Sequence, residues 1–355
     1  MTLTDTEPTL RSTMPARDLQ ALPKGHLHLH MEAAMRPATL ISLSDVLGIE
    51  PVKTSGFKGF TAFSATYKTL LDALRHPEHL GILMDQIFED QAAEGVAYLE
   101  LSVSPRFYAE QYGSFDGAMR ELIDLARSAS VTHGVAFGLM PTIDRTAGLE
   151  IAVQIAEVAA RFAGDGVVSL GLAADERGYP CADFAEPFAI AKAAGLQSTP
   201  HAGELVGPES VREAIDVLKA DRILHGVRAI EDPELVAELA ERGLPLDVCP
   251  TSNVMLDVVE KIEEHPMPHL LEAGVRCSIN ADDPILFGPD ILAEYELCRT
   301  SIGLTDEQLA ACAWTSIETT LAPAEVKADV KARIDTWLSA DPVSGVGTAP
   351  AGAHA

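Results

Sequence analysis

The stretch Leu22-Pro23-Lys24-Gly25-His26-Leu27-His28-Leu29-His30-Met31-Glu32 sets three histidines at every second position. In a β-strand such a row lies on one face, with Leu27, Leu29 and Met31 on the other. Each neutral imidazole brings one donor and one acceptor, so a buried row of them is costly unless something satisfies it. A cation would do so, since imidazole is the commonest metal ligand and suits zinc. His201, in Thr199-Pro200-His201-Ala202-Gly203-Glu204, and Asp282, in Asn280-Ala281-Asp282-Asp283-Pro284, offer a third nitrogen and an oxygen. Together with His28 and His30 they make a set of three nitrogens and one oxygen that leaves a position for water. That is the inventory of one catalytic zinc ion per chain, whose water loses a proton near about pH 7. His26 shares the strand face one pleat deeper, which gives it a supporting or structural place.

Three further groups could move or hold protons. Glu204 lies three residues past His201, and Gly203 between them permits a tight turn. A carboxyl beside a metal and partly desolvated has a raised pKa and can serve as proton donor. His225, followed by Gly226, could hydrogen-bond the activated water and stabilise developing charge. Asp282 and Asp283 are neighbours in an extended segment and point different ways, so one can face the metal and the other the substrate or the water. Cys249, opening Cys249-Pro250-Thr251-Ser252-Asn253, stands far in sequence from any base and reads as a small buried residue.

Such groups need a frame, and the chain repeats one unit: a short apolar run, then a helical pattern. The runs are 25–30, 96–103, 135–143, 167–173, 196–201, 222–225, 244–249 and 275–280, with amphipathic stretches such as 77–94, 147–163, 184–194, 208–220 and 232–242 between them. Alternating strands and helices predict a parallel sheet, and eight strands predict an α/β fold of the closed (β/α)₈ TIM-barrel type. In that fold the active site is built at the C-terminal strand ends. Five of the runs end in ionisable residues: His28, His30 and Glu32 after the first, Asp175-Glu176 after the fourth, His201 and Glu204 after the fifth, His225 after the sixth, and Asp282-Asp283 after the eighth. Residues 45–75 are an insertion after the first strand. Phe57, Phe60 and Phe63 recur there every third residue, which fits a short helix, either packed in the core or laid as an apolar lid over the pocket mouth.

The 355 residues divide into a polar, flexible start (1–17), a single barrel domain (18–339), and a Gly/Pro/Ala-rich disordered tail (340–355). No apolar run is long enough to span a membrane, and the polar start has no signal-peptide core. Five cysteines, with no Cys-x-x-Cys pair, read as reduced thiols of a cytoplasmic protein. A formal charge of −27 repels nucleic-acid backbones and anionic lipid, leaving an uncharged or cationic small molecule as the compatible partner.

The ordered set Leu27-His28-Leu29-His30-Met31-Glu32, Thr199-Pro200-His201-Ala202-Gly203-Glu204, Arg222-Ile223-Leu224-His225-Gly226, Asp247-Val248-Cys249-Pro250-Thr251-Ser252-Asn253 and Ser278-Ile279-Asn280-Ala281-Asp282-Asp283-Pro284 resembles the adenosine deaminase family of metal-dependent amidohydrolases. The resemblance covers about residues 22–321. It implies hydrolytic removal of the exocyclic amine of a 6-aminopurine, with adenosine or deoxyadenosine giving inosine or deoxyinosine. It also implies zinc on His28, His30, His201 and Asp282, proton donation by Glu204 to ring N1, and water positioned and activated by His225 and Asp283. Asp283 would further meet purine N7. The other zinc deaminase design, His-x-Glu with Pro-Cys-x-x-Cys, is absent. Two positions depart from the adenosine pattern. Glu32-Ala33-Ala34 stands where Asp-Gly is usual, and that Asp is implicated in holding the ribose. Ala174 replaces a Gly whose backbone N–H meets purine N3, and its methyl group crowds the pocket. These departures point to the same chemistry on adenine, or on a modified nucleoside such as aminodeoxyfutalosine, as the alternative. An inactive nucleoside-binding relative would keep the fold alone. An ester or lactone hydrolase with two metals would carry a bridging lysine, and the strand ends offer none.

Overall fold

The computed structural model describes residues 16–74 and 76–342; of the flexible start expected at 1–17 and the disordered tail expected at 340–355, residues 1–15 and 343–355 lie outside the described residues. Arg17, at the edge of the expected flexible start, is tied to the C-terminal helix Ala324–Ser339, donating to Leu338 O at 2.8 Å and pairing with Asp306 at 2.7 Å. Eight strands run in chain order: β1 (Lys24–His30), β2 (Val96–Val103), β3 (Ala136–Asp144), β4 (Ser169–Ala173), β5 (Gln197–Ala202), β6 (Ile223–His225), β7 (Leu246–Val248) and β8 (Cys277–Ile279). Every neighbouring pair is parallel and the order is sequential. The ring closes just past β8, where His30 N–H donates to Asp282 O and Asp282 N–H to His28 O, both at 3.0 Å. The expected (β/α)₈ barrel is therefore present, and each strand begins and ends within two residues of its apolar run.

Helices between the strands carry their own start and stop signals. In Pro233–Arg242 the Asp232 carboxylate accepts from the N–H groups of Glu234 and Leu235, Pro233 fills the first helical position, and Gly243 ends the helix at φ 63°. Gly25 is required for packing, because a Cβ there would collide with Ser316 O of the helix Asp306–Glu318. The insertion after β1 forms the helix Gly59–Leu70, with Phe57 just ahead of it. The three phenylalanines do not form one helical stripe. Two of them meet Phe287, which follows β8: Phe63 stacks on it at 5.1 Å and Phe57 reaches it at 6.2 Å, while Phe60 packs on Phe63 at 5.6 Å. Phe60, Phe63 and Tyr67 then wall the cleft above the strand ends, as a lid would.

Two features of the barrel depart from simple patterning. The pairing of β1 with β2 slips between His26 and Leu29, where His26 faces Leu99 and Leu29 faces Leu101. Asn280 Oδ1 accepts from both Leu27 N–H (2.8 Å) and His28 N–H (3.2 Å) at that irregularity. The even alternation of the three histidines is thus broken, and His26 leaves the row: its Nδ1 meets Gln91 Oε1 at 2.7 Å and its Nε2 accepts from Ala281 N–H at 3.1 Å. Deeper in the barrel, Arg222 is fully buried between Glu100 and Asp247, donating to Asp247 Oδ2 at 3.0 Å. Burial works against its charge, but the two carboxylates outweigh it and hold its pKa above the usual guanidinium value. Asp247 Oδ1 accepts from Ser278 Oγ (2.7 Å), which in turn accepts from Asn280 Nδ2 (2.8 Å). Arg222→Leu would leave two buried carboxylates without a counter-charge. The expected cost is about 3–5 kcal/mol, read as a lowered urea midpoint with an unchanged m-value.

Candidate active site

At the C-terminal mouth of the barrel, His28 and His30 from β1, His201 from β5, His225 from β6 and Asp282 past β8 converge. His28 Nε2 stands 3.0 Å from His201 Nε2, and both His28 Nε2 and His30 Nε2 lie 3.3 Å from Asp282 Oδ1. His225 Nε2 is 3.8 Å from Asp282 Oδ2. His28 Nδ1–H is turned to Asp247 O at 3.2 Å, which leaves the Nε2 lone pair aimed at the centre. Two ring nitrogens face each other at hydrogen-bond distance beside a carboxylate, all of them buried or nearly so. Burial, then the neighbouring His28 and His225, push His201 well below the usual imidazole range, so it is neutral. Burial would raise Asp282, but His28, His30 and His225 hold it well below the carboxylate range. Imidazole nitrogens gathered around one carboxylate are a set of donors that a metal cation satisfies. The cluster could bind one.

The carboxyls beside it are tuned the other way. Glu204 is buried, and desolvation, then Asp282 and Glu176, push its pKa well above the usual value, which favours its protonated form. It lies 3.5 Å from His225 Nε2. Its loop is held from beneath by Glu176, whose carboxylate accepts from the backbone N–H groups of Gly203 (3.0 Å), Glu204 (3.0 Å) and Val206 (3.0 Å) and from Ser210 Oγ (2.6 Å). Gly203 turns there at φ 68°, as the spacing between His201 and Glu204 requires. Asp283 is likewise buried and raised by desolvation and by Asp282, and its Oδ1 has no partner among the described residues. Such an acceptor at the wall of a cleft awaits a ligand group.

Backbone strain marks the same place. Among the described residues five non-glycines have left-handed φ, and three of them are Ala174 (74°), His225 (63°) and Asp282 (62°). Each costs about 1–3 kcal/mol and persists where packing over-determines it, commonly at functional sites. The cleft these residues share has an empty volume, open mouth included, of about 800 Å³ and is walled by Glu32, Phe63, Tyr67, Ala174, Glu204 and Asp283, among others.

The structure therefore brings together His28, His30, His201, His225, Glu204, Asp282 and Asp283, and sets Glu32 and Ala174 on the wall of the same cleft. Asp175 turns away to pair with Arg177 at 2.8 Å. Cys249 lies 3.3 Å from His28 Nδ1, its thiol pushed well above the usual range by burial, and so plays no nucleophilic part. All five cysteines are buried free thiols. Glu32 makes contacts that its position in the chain did not announce. Its Oε1 accepts from Tyr108 O–H and its Oε2 from Tyr67 O–H, both at 2.6 Å. Neither tyrosine stood out in the sequence, being 76 and 35 residues away; nor did Glu176 beyond its strand-end place. Among the described residues no helix is long and apolar enough to cross a membrane.

The chain is similar to many known proteins. Residues 23–337 match the family model described as adenosine deaminase. A Streptomyces coelicolor protein named a putative adenosine/adenine deaminase is 39% identical, covering 91% of this chain and 99% of its own. An aminodeoxyfutalosine deaminase of the same organism is 37% identical over 91% of this chain and 87% of its own. The crystal structure of adenine deaminase from Arthrobacter aurescens superposes with a TM-score of 0.83 at 27% identity, covering 90% of this chain and 99% of that one. A barrel whose mouth gathers His28, His30, His201, Glu204, His225, Asp282 and Asp283, matched to that model almost from end to end, belongs to the adenosine deaminase family of hydrolytic deaminases.

Proposed function

We propose that the chain removes the exocyclic amine of a 6-aminopurine by hydrolysis, as a cytoplasmic enzyme with one zinc ion. The observation that carries this reading is a buried cluster able to hold a cation, His28, His201, His225 and Asp282 with His30 beside Asp282, next to a buried carboxyl, Glu204, whose desolvation favours its protonated form. His28, His30, His201 and Asp282 would hold the ion, three neutral imidazoles and one carboxylate being a ligand set suited to zinc. Zinc bound there supplies a water acidic enough to act as the nucleophile near neutral pH. Glu204 gives its proton to purine N1, so that attack at C6 does not leave bare negative charge on the ring. His225 orients the attacking oxygen by hydrogen bonding, and Asp283, with its free Oδ1, faces both that oxygen and purine N7. The Ala174 backbone N–H is the counterpart of purine N3.

Glu32 bears on which purine enters. Both of its oxygens already accept short bonds from Tyr67 and Tyr108, so its carboxylate is committed to the wall rather than offered to ribose hydroxyls. This supports free adenine over adenosine, in keeping with the name of the Arthrobacter enzyme, while the name of the Streptomyces relative covers both. Adenosine and deoxyadenosine, the first expectation from the sequence, become the second reading, favoured by the size of the cleft.

Ammonia release by zinc-loaded protein, measured on adenosine, deoxyadenosine, adenine, methylthioadenosine and aminodeoxyfutalosine, tests both. The expected result is a kcat/KM for adenine at least about tenfold above that for adenosine, a difference of about 1.4 kcal/mol in transition-state binding. Adenosine turned over best would mean that the clamped Glu32 is neutral toward ribose. Silence across the panel with zinc bound would overturn the deaminase reading in favour of a nucleoside-binding relative.

A further inference from the structure

Behind His225 a chain of hydrogen bonds runs out of the cleft and ends on a backbone N–H. Met267, the first residue of the helix Met267–Glu272, donates its N–H to His265 Nδ1 at 3.2 Å. A backbone N–H can only donate, so His265 Nδ1 is an acceptor. Burial pushes the His265 pKa down to about 4, which leaves one ring proton at neutral pH, and that proton sits on Nε2. Nε2 lies 3.2 Å from Asn253 Oδ1, which accepts it. The amide nitrogen of Asn253 is then the end that faces His225 Nδ1, also at 3.2 Å. The opposite amide orientation would set N–H against N–H at His265. Hence His225 Nδ1 accepts, and its proton is on Nε2, the nitrogen that faces Glu204 Oε1 at 3.5 Å.

We propose that Asn253 and His265 are positioning residues that fix the ring proton of His225 on Nε2, so that His225 meets the reacting atoms as a hydrogen-bond donor. Two consequences follow from the direction of that one bond. A metal needs a ring lone pair, so His225 stays outside the ligand set even though its ring stands within 4.8 Å of the donor atoms of His28, His201 and Asp282. His30, at 3.3 Å from Asp282, is the third nitrogen instead. A nitrogen that already carries a proton also cannot take one from water, so that task falls to a carboxylate, and His225 serves to hold and polarise the oxygen. The effect on rate rests on the deaminase reading; the position of the proton does not.

Proton-detected nitrogen NMR of the zinc-loaded protein labelled with 15N-histidine reads the proton directly, with His225 assigned by its loss in His225→Gln. The expected spectrum has the His225 proton on Nε2. In Asn253→Asp the new carboxylate can accept but not donate, so the proton should move to Nδ1. With whichever purine is turned over, kcat of that variant should fall by about 10²- to 10³-fold, with KM and bound zinc unchanged. A wild-type spectrum with the proton on Nδ1 overturns the proposal, and it does so whether or not the variant folds or any panel substrate reacts. Wild-type kcat in Asn253→Asp, or zinc lost in step with activity, overturns it as well.

Discussion

Glu204→Gln is expected to keep its zinc and lose about 10²- to 10⁴-fold in kcat. Glutamine has nearly the same shape and can still donate a hydrogen bond, but it cannot hand over a proton. The wild-type carboxyl is set up for that transfer. Desolvation and the nearby Asp282 and Glu176 raise its pKa, and the Glu176 carboxylate fixes its loop by accepting from the backbone N–H groups of Gly203, Glu204 and Val206. Glu204 is not among the proposed ligands, so metal analysis of the variant should match the wild type. The pH profile offers a second reading of the same group. The proton-bearing form is favoured below the raised pKa and lost as pH rises through it, so the wild-type rate should fall on the alkaline side. Glutamine does not titrate, and that limb should vanish from the residual activity. Near-normal turnover, or metal lost from the variant, would remove Glu204 from the role of proton donor.

Asp282→Ala should be the change that empties the metal site. Its carboxylate is the common neighbour of His28 and His30 at 3.3 Å and approaches His225 at 3.8 Å. Without it the cluster retains only neutral nitrogens, and the expected loss of zinc affinity is at least about 100-fold, with activity falling in proportion to bound metal. Equilibrium dialysis against zinc measures it. Residue 282 has left-handed backbone, which alanine tolerates less well than aspartate. Asp282→Asn is therefore the companion variant, keeping shape and backbone preference while removing the charge. Full zinc content in both variants would take Asp282 off the ligand list.

Much of this site was legible because the barrel places function at strand ends and because strand ends are easy to find. His28, His30, His201, Glu204, His225, Asp282 and Asp283 each stand within three residues of the end of an apolar run, so a local pattern located them. Contacts between distant segments were not legible. The Tyr67 and Tyr108 hydroxyls reach Glu32 only because the lid helix and the segment after β2 fold over it. His265, on a loop beyond β7, meets Asn253 twelve residues earlier through a turn that no periodicity reports. The slip in β1 was hidden for a different reason. Strict alternation of His with Leu describes a regular strand, and the partner that takes up the N–H groups at the irregularity, Asn280, comes from the end of the neighbouring β8, about 250 residues on in the chain. The phenylalanines of the lid show the same limit: their spacing suits one helix, but Phe57 precedes it, and Phe57 and Phe63 pack on the distant Phe287.

The closure of the ring at His28, His30 and Asp282 makes assembly of the sheet and assembly of the site one event. The bonds from His30 N–H to Asp282 O and from Asp282 N–H to His28 O are the seam where the last strand end meets the first. A cation held by those same residues binds only the sealed barrel, so its binding free energy adds to the stability of the seam as RT ln(1 + [L]/Kd). The amides of His30 and Asp282 are thus coupled reporters of fold and cofactor, their exchange with solvent slowed by whatever occupies the mouth. Stripping the ion would loosen the protein first along this one junction, leaving the helical outer layer to open later.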